Sequence, residues 1–106
     1  MKAVLKEHWR YIVFRTEAEK ECKKDELDKQ IQAALLKLIG ELGMARTNPS
    51  LFFLKWPFGI LRVSRDGADE VRTALAMVAK ADEKPIHIIT IYTSGTLAGA
   101  KKKIKS

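Results

Sequence analysis

Two histidines, one cysteine, a few serines and an acid-rich stretch are the residues of this chain that could carry acid–base, nucleophilic or metal chemistry. Their spacing supports none of these. His8 and His87 fall on different predicted strands, with no cysteine or carboxylate at metal-ligand spacing beside either, so both read as structural. Cys22 stands alone, which excludes an internal disulfide and a multi-cysteine metal site. Ser64 and Ser94 have no nucleophile-elbow context, and no glycine-rich loop precedes a lysine and serine as a phosphate-binding loop requires. Glu17, Glu19, Glu21, Asp25, Glu26 and Asp28 alternate with lysines ahead of a helix and read as a solvated charged face. No catalytic residue, bound metal or protein-held cofactor is therefore expected.

Charge carries the stronger signal. The 106 residues have a formal net charge of +7, with ten Lys and Arg against eight Asp and Glu in residues 1–53, and ten against five in residues 54–106. Four of the positives are Lys101, Lys102, Lys103 and Lys105, at the end of the segment TSGTLAGAKKKIKS. Such an excess favours a polyanion, because each neutralised phosphate releases counterions. On charge alone, two readings of residues 101–106 stay open: a phosphate-contacting end, or a solubilising basic tail. Arg10, Arg15, Arg62 and Arg65 are further candidates for phosphate contact, which positions a protein on folded RNA without reading its sequence. Trp9, Tyr11 and Trp56 read as core or protein-interface anchors.

These residues must be held by a small set of elements. HWRYIVFR, residues 8–15, is rich in aromatic and β-branched residues and predicts a strand. Leu27, Ile31, Ala34, Leu35, Leu38, Ile39 and Leu42 recur at helical spacing, with acids in the first turn and Gly43 after the last periodic residue, which predicts an amphipathic helix over about 24–42. LFFLKW and ILRVSR, joined by Pro57-Phe58-Gly59, predict a hairpin. Asp66 and Asp69 mark the start of a second helix with Val71, Ala74, Leu75 and Val78 inward, and IHIITIYT after Pro85 predicts the last strand.

Strand, helix, strand, strand, helix, strand with right-handed crossovers is an α+β, ferredoxin-like two-layer sandwich: a four-stranded antiparallel sheet, first and third strands central, both helices on one face. One domain over residues 1–100 with a basic tail at 101–106 is the expected organisation. If Ile12 and Phe14 pack beneath the helices, Trp9, Tyr11, Val13 and Arg15 turn outward beside Arg62 and Ser64; the first strand is apolar on both parities, and the reverse assignment stays open. Base-stacking readout of the RNA-recognition-motif kind is disfavoured, since the third strand, GILRVSRD, carries no aromatic residue. Acylphosphatase-like enzymes share the architecture but need a glycine-flanked anion loop where this chain reads HWRYIVFR. No apolar run approaches the roughly 18 residues of a membrane span, and the N-terminus does not read as a signal peptide, so a cytoplasmic address is expected.

RYIVF at 10–14, IGELG at 39–43, GILRVSRD at 59–66 leading into a helix with VRTAL, and TSGT at 93–96 with a basic end resemble, in order and spacing, the Pop-five type protein subunit of archaeal and eukaryotic ribonuclease P, with the length of an archaeal version. That resemblance implies a non-catalytic part of a ribonucleoprotein. Its RNA would remove the 5′ leader from precursor tRNA using magnesium. The subunit would pair with a partner of the RPP-thirty type, a dimer of such heterodimers remaining open. By position, the resemblance assigns RNA contact to Arg10 in the RYI strand, Arg62 and Arg65 in RVSRD, and Ser94 and Thr96 in the SGT corner, with Gly95 supplying the turn. The sequence departs from the family pattern where Leu97-Ala98-Gly99-Ala100 separates that corner from Lys101. The alternative function is a protein–protein interaction module with a solubilising tail; a small-molecule regulatory domain of the same fold would expose a glycine-rich loop where this chain has a charged one.

Overall fold

A computed structural model describes residues 8–77, 80–81, 84–85 and 87–104. Strand β1 (Trp9–Glu17) leads to helix α1 (Lys24–Thr47), the hairpin strands β2 (Ser50–Lys55) and β3 (Phe58–Ser64), a short 3₁₀ turn (Arg65–Gly67) and helix α2 (Ala68–Ala76). Two-residue strands β4 (Lys80–Ala81) and β5 (Lys84–Pro85) pair with each other, and β6 (His87–Ser94) and helix α3 (Leu97–Ile104) follow. The main sheet is antiparallel in the order β2-β3-β1-β6, so the first and third strands are central, as the ferredoxin-like reading expects. Val78, expected on the buried stripe of α2, and Ile86, expected to open the last strand, lie outside the described residues.

One face of the sheet packs beneath α1 and α2. Ile12 and Phe14 of β1, Leu51 of β2, and Leu61 and Val63 of β3 meet Leu27, Ile31 and Leu35 of α1 and Val71 and Leu75 of α2 in one cluster, nearly all without solvent contact. Burying each such side chain contributes about 1.5–3 kcal/mol. The centre of the other face is covered too, where the sequence reading has Val13 turned outward. Val13 and Ile60 are fully buried there under Ala100 and Ile104 of α3, with Tyr11, Phe53, Phe58 and Leu97 around them. This explains why β1 is apolar on both parities: its centre has a helix layer on each side.

Helix α1 runs five residues past the expected end. Gly40 breaks its regular path at φ 75°, ψ 175°, a conformation accessible essentially to glycine alone, and the last turns resume in a new direction. Gly43 and Thr47 then face inward, whereas Leu42, expected on the buried stripe, is 87% exposed and Leu38 is exposed as well. The left-handed terminal residue is Asn48 rather than Gly43, its N–H donating to the Met44 carbonyl at 2.7 Å. Asp28 is not wholly part of a solvated face: its carboxylate accepts hydrogen bonds from Gln32 at 3.3 Å and the Leu51 N–H at 3.4 Å, while Gln32 also donates to the Pro49 carbonyl at 2.8 Å. These bonds tie the start of β2 to α1. Neither Asp66 nor Asp69 caps α2, because the 3₁₀ turn takes up that segment and no side chain caps the helix.

Candidate nucleic-acid interface

Register places the candidate residues in rows across the sheet. Phe53, Ile60, Val13 and Tyr92 form one row from β2 to β6. Helix α3 crosses this row: Ala100 and Ile104 sit over its centre, the Lys101 ammonium lies 4.7 Å from the centre of the Phe53 ring, and the Lys103 ammonium lies 4.5 Å from that of Tyr92. Each contact is a cation–π pair that holds a lysine stem along an aromatic ring. Lys101, Lys102 and Lys103 are thus the exposed side of a docked helix, not a basic tail outside the fold. Lys105 lies outside the described residues. An eight-residue helix is marginal alone in water, so burial of Ile104 and Ala100 is what keeps the lysines in place.

The SGT corner builds that helix's entry. Ser94, nearly buried, donates through its hydroxyl to the Thr96 carbonyl at 2.8 Å and accepts from the Thr96 N–H at 3.1 Å. The Thr96 hydroxyl accepts from the Gly99 N–H at 3.0 Å, capping the first turn of α3. The hydroxyls of Ser94 and Thr96, expected to contact RNA, are therefore engaged in positioning α3. The alternation of small and hydroxyl residues in TSGTLAGA was the sequence signal for a capped helix start, and the expected tail obscured it.

One row toward the start of β1, about 7 Å away by strand geometry, Ser50, Arg62, Tyr11 and Ser94 are aligned. The Arg62 guanidinium carbon lies 4.1 Å from the centre of the Trp9 ring and 5.0 Å from that of Phe52, and Phe52 meets Tyr11 edge-on with ring centres 6.1 Å apart. Phe52 sits at a bulge. The register jumps between Leu51 and Phe53, so Phe52 has no cross-strand partner, and its ring lies on the side that Phe53 also occupies. Leu51 faces the helices, so alternation puts Phe52 on this face and the bulge leaves Phe53 there as well; Phe52 was not among the expected site residues.

The arginines divide by their partners. Arg15 pairs with Glu17 at 2.9 Å, Arg46 with Glu70, Arg65 with Asp66 at 3.8 Å and Arg72 with Asp69 at 3.9 Å. Among the described residues, only Arg10 and Arg62 have no carboxylate partner. Arg10 donates to the Trp9 carbonyl at 3.0 Å and reaches toward Gly95 in the SGT corner. The Nε of Arg62 is buried and has no acceptor among the described residues. Arg10, Arg62 and Arg65 therefore gather with the SGT corner at one end of the sheet. Arg15, expected among them, is five residues along β1, about 17 Å away. Of the expected interface aromatics, Trp9 and Tyr11 share the Arg62 face, whereas Trp56 packs against the core at the opposite end of β3.

Among the described residues, no group of three or more His, Cys, Asp or Glu could hold a metal ion, and no helix is long and apolar enough to cross a membrane.

Comparison with known proteins agrees in fold and family. The chain is 38% identical over 99 residues to ribonuclease P protein component 2 of Methanocaldococcus jannaschii, a match that covers 93% of this chain and 74% of the relative. It is 36% identical over 103 residues to the protein of the same name from Thermococcus kodakarensis, covering 93% and 84%. A chain in the cryo-EM structure of yeast ribonuclease MRP superposes with a TM-score of 0.71 over 97% of this chain and 93% of that one, at 13% identity, which shows a shared fold. Residues 10–105 match the model of the Rpp14/Pop5 family, and the chain belongs to that family.

Proposed function

We propose that this chain is a non-catalytic, RNA-binding subunit of ribonuclease P that supports the RNA in removing the 5′ leader from precursor tRNA, together with a protein partner of the RPP-thirty type. The observation that carries the reading is the placement of cations. The two arginines without an acidic partner among the described residues, Arg10 and Arg62, lie at the sheet end that holds the SGT corner, and the same corner launches a docked helix whose outer side bears Lys101, Lys102 and Lys103. Positive charges gathered at one end of the sheet and along α3 lower the repulsion between RNA segments brought close together, and so lower the magnesium needed for the active RNA fold. Magnesium itself would be held by the RNA.

Family membership and the names of the archaeal relatives support the assignment. The docking of α3 also bears on the alternative of an interaction module with a solubilising tail, since lysines fixed over Phe53 and Tyr92 are not a free tail. The test is precursor tRNA cleavage by the cognate ribonuclease P RNA at limiting magnesium, with the RPP-thirty type partner alone or with both proteins. Cleavage that requires both proteins is the expected result. Equal cleavage with the partner alone would overturn the reading.

A further inference from the structure

Beside the α3 cluster, the same face of the sheet holds Trp9, Tyr11 and Phe52 around Arg62. Three features of this cluster are unusual for a purely structural stack. Phe52 is an exposed large aromatic at a bulge in an edge strand. Arg62 is held by rings and, among the described residues, has no carboxylate partner. Its Nε is buried and has no acceptor among the described residues. A guanidinium held over exposed rings is matched by a partner that has both a π-face and acceptor oxygens or ring nitrogens. An unpaired nucleotide has both; a base inside a duplex has its face already stacked.

Resting on the RNA-binding reading above, we infer that Trp9, Phe52 and Arg62 form a stacking site for an unpaired nucleotide of the RNA, beside the phosphate-binding lysines of α3. Charge complementarity favours RNA over a protein partner. Lys101 lies one row away, and Arg10 lies at the same sheet end with no acidic partner among the described residues. The site takes its rings from β1 and β2 rather than from a third strand as in an RNA-recognition motif, and α3 occupies the centre of the sheet.

The chain has two tryptophans, and Trp56 packs against the core, so a Trp56→Phe variant leaves Trp9 as the only indole reporter. End-labelled oligouridine and a duplex RNA of the same length are titrated with this variant, following label anisotropy and Trp9 emission together. The single strand is expected to quench Trp9 as it binds, and the duplex to bind without quenching. In the otherwise unaltered chain, Phe52→Ser and Trp9→Leu are each expected to weaken single-strand binding roughly tenfold, the scale of one lost base–aromatic stack, while leaving the salt dependence unchanged. Anisotropy change without any change in Trp9 emission would overturn the stacking site alone. Equal quenching by the duplex would also overturn it, as would an emission change produced by the protein partner and not by RNA. No anisotropy change with either RNA would overturn the stacking site and RNA binding by the isolated subunit together.

Discussion

Gly59 of β3 lies directly against the ring of Phe14, its register partner on β1: a Cβ placed on Gly59 would sit 2.4 Å from the ring's Cζ. The ring fills the space that a side chain on β3 would need, and this lets the largest fully buried side chain fit between the sheet and the helices. Gly59→Ala should therefore lower stability by about 1–3 kcal/mol, the usual cost of overpacking a closed core. Phe14→Leu in the same chain should recover part of that loss, and chemical denaturation of the four chains of the cycle measures the coupling. Strictly additive losses would show that the two residues do not compete for one space.

Helix α3 predicts a separation between charge and placement. Replacing Lys101, Lys102 and Lys103 with alanine should weaken RNA binding and reduce the slope of log affinity against log salt by up to about three ion equivalents. Ile104→Ala leaves the charge unchanged but removes one of the two buried anchors of α3. It should raise amide exchange through 97–104 and also weaken RNA binding. RNA affinity untouched by Ile104→Ala would mean that the lysines act as diffuse charge, wherever the helix sits.

How far these features could be read from the sequence depends on whether they follow local periodicity. The order of elements and the central positions of β1 and β3 follow from alternation and helical spacing, and both are present. Leu27, Ile31 and Leu35 were legible as the inward stripe of α1 for the same reason. Leu42 was not, because one residue, Gly40, re-aims the helix and shifts every later position on the wheel. The bulge at Phe52 defeats alternation in the same way by inserting one residue into the count. Helix α3 was hidden for a different reason: its lysines outweigh its two buried anchors in any composition-based reading, and only the third dimension shows Val13 and Ile60 waiting beneath them. The candidate site was accordingly legible as a list of cations, while their division into a sheet end, a distant Arg15 and a docked helix was not.

Thr96 should matter to RNA binding through α3 rather than through direct contact. Its hydroxyl accepts from the Gly99 N–H, and losing such a cap costs about 1 kcal/mol. Thr96→Ala should accelerate amide exchange in the first turn of α3 and weaken RNA binding modestly, with the salt slope unchanged. Thr96→Ser, which keeps the hydroxyl, should restore both. A serine variant that remains as weak as alanine would point instead to a role for the threonine methyl group.

Gly40 gives a test of backbone strain free of side-chain crowding, because a Cβ built there meets no atom within 4 Å. Any cost of substitution must then come from φ 75°, ψ 175°, which disfavours an L residue by about 1–3 kcal/mol. Gly40→Ala should lose about that much in urea denaturation without a change in the denaturant slope. D-alanine at the same position, introduced by semisynthesis, should fit, since the mirror image of this conformation is ordinary extended backbone for an L residue. The pair distinguishes conformation from packing: equal losses for both alanines would mean that the space around Gly40 matters after all. No loss for L-alanine would mean that α1 can straighten, and Leu42 would then be expected to lose its exposure, which side-chain labelling at that position would detect.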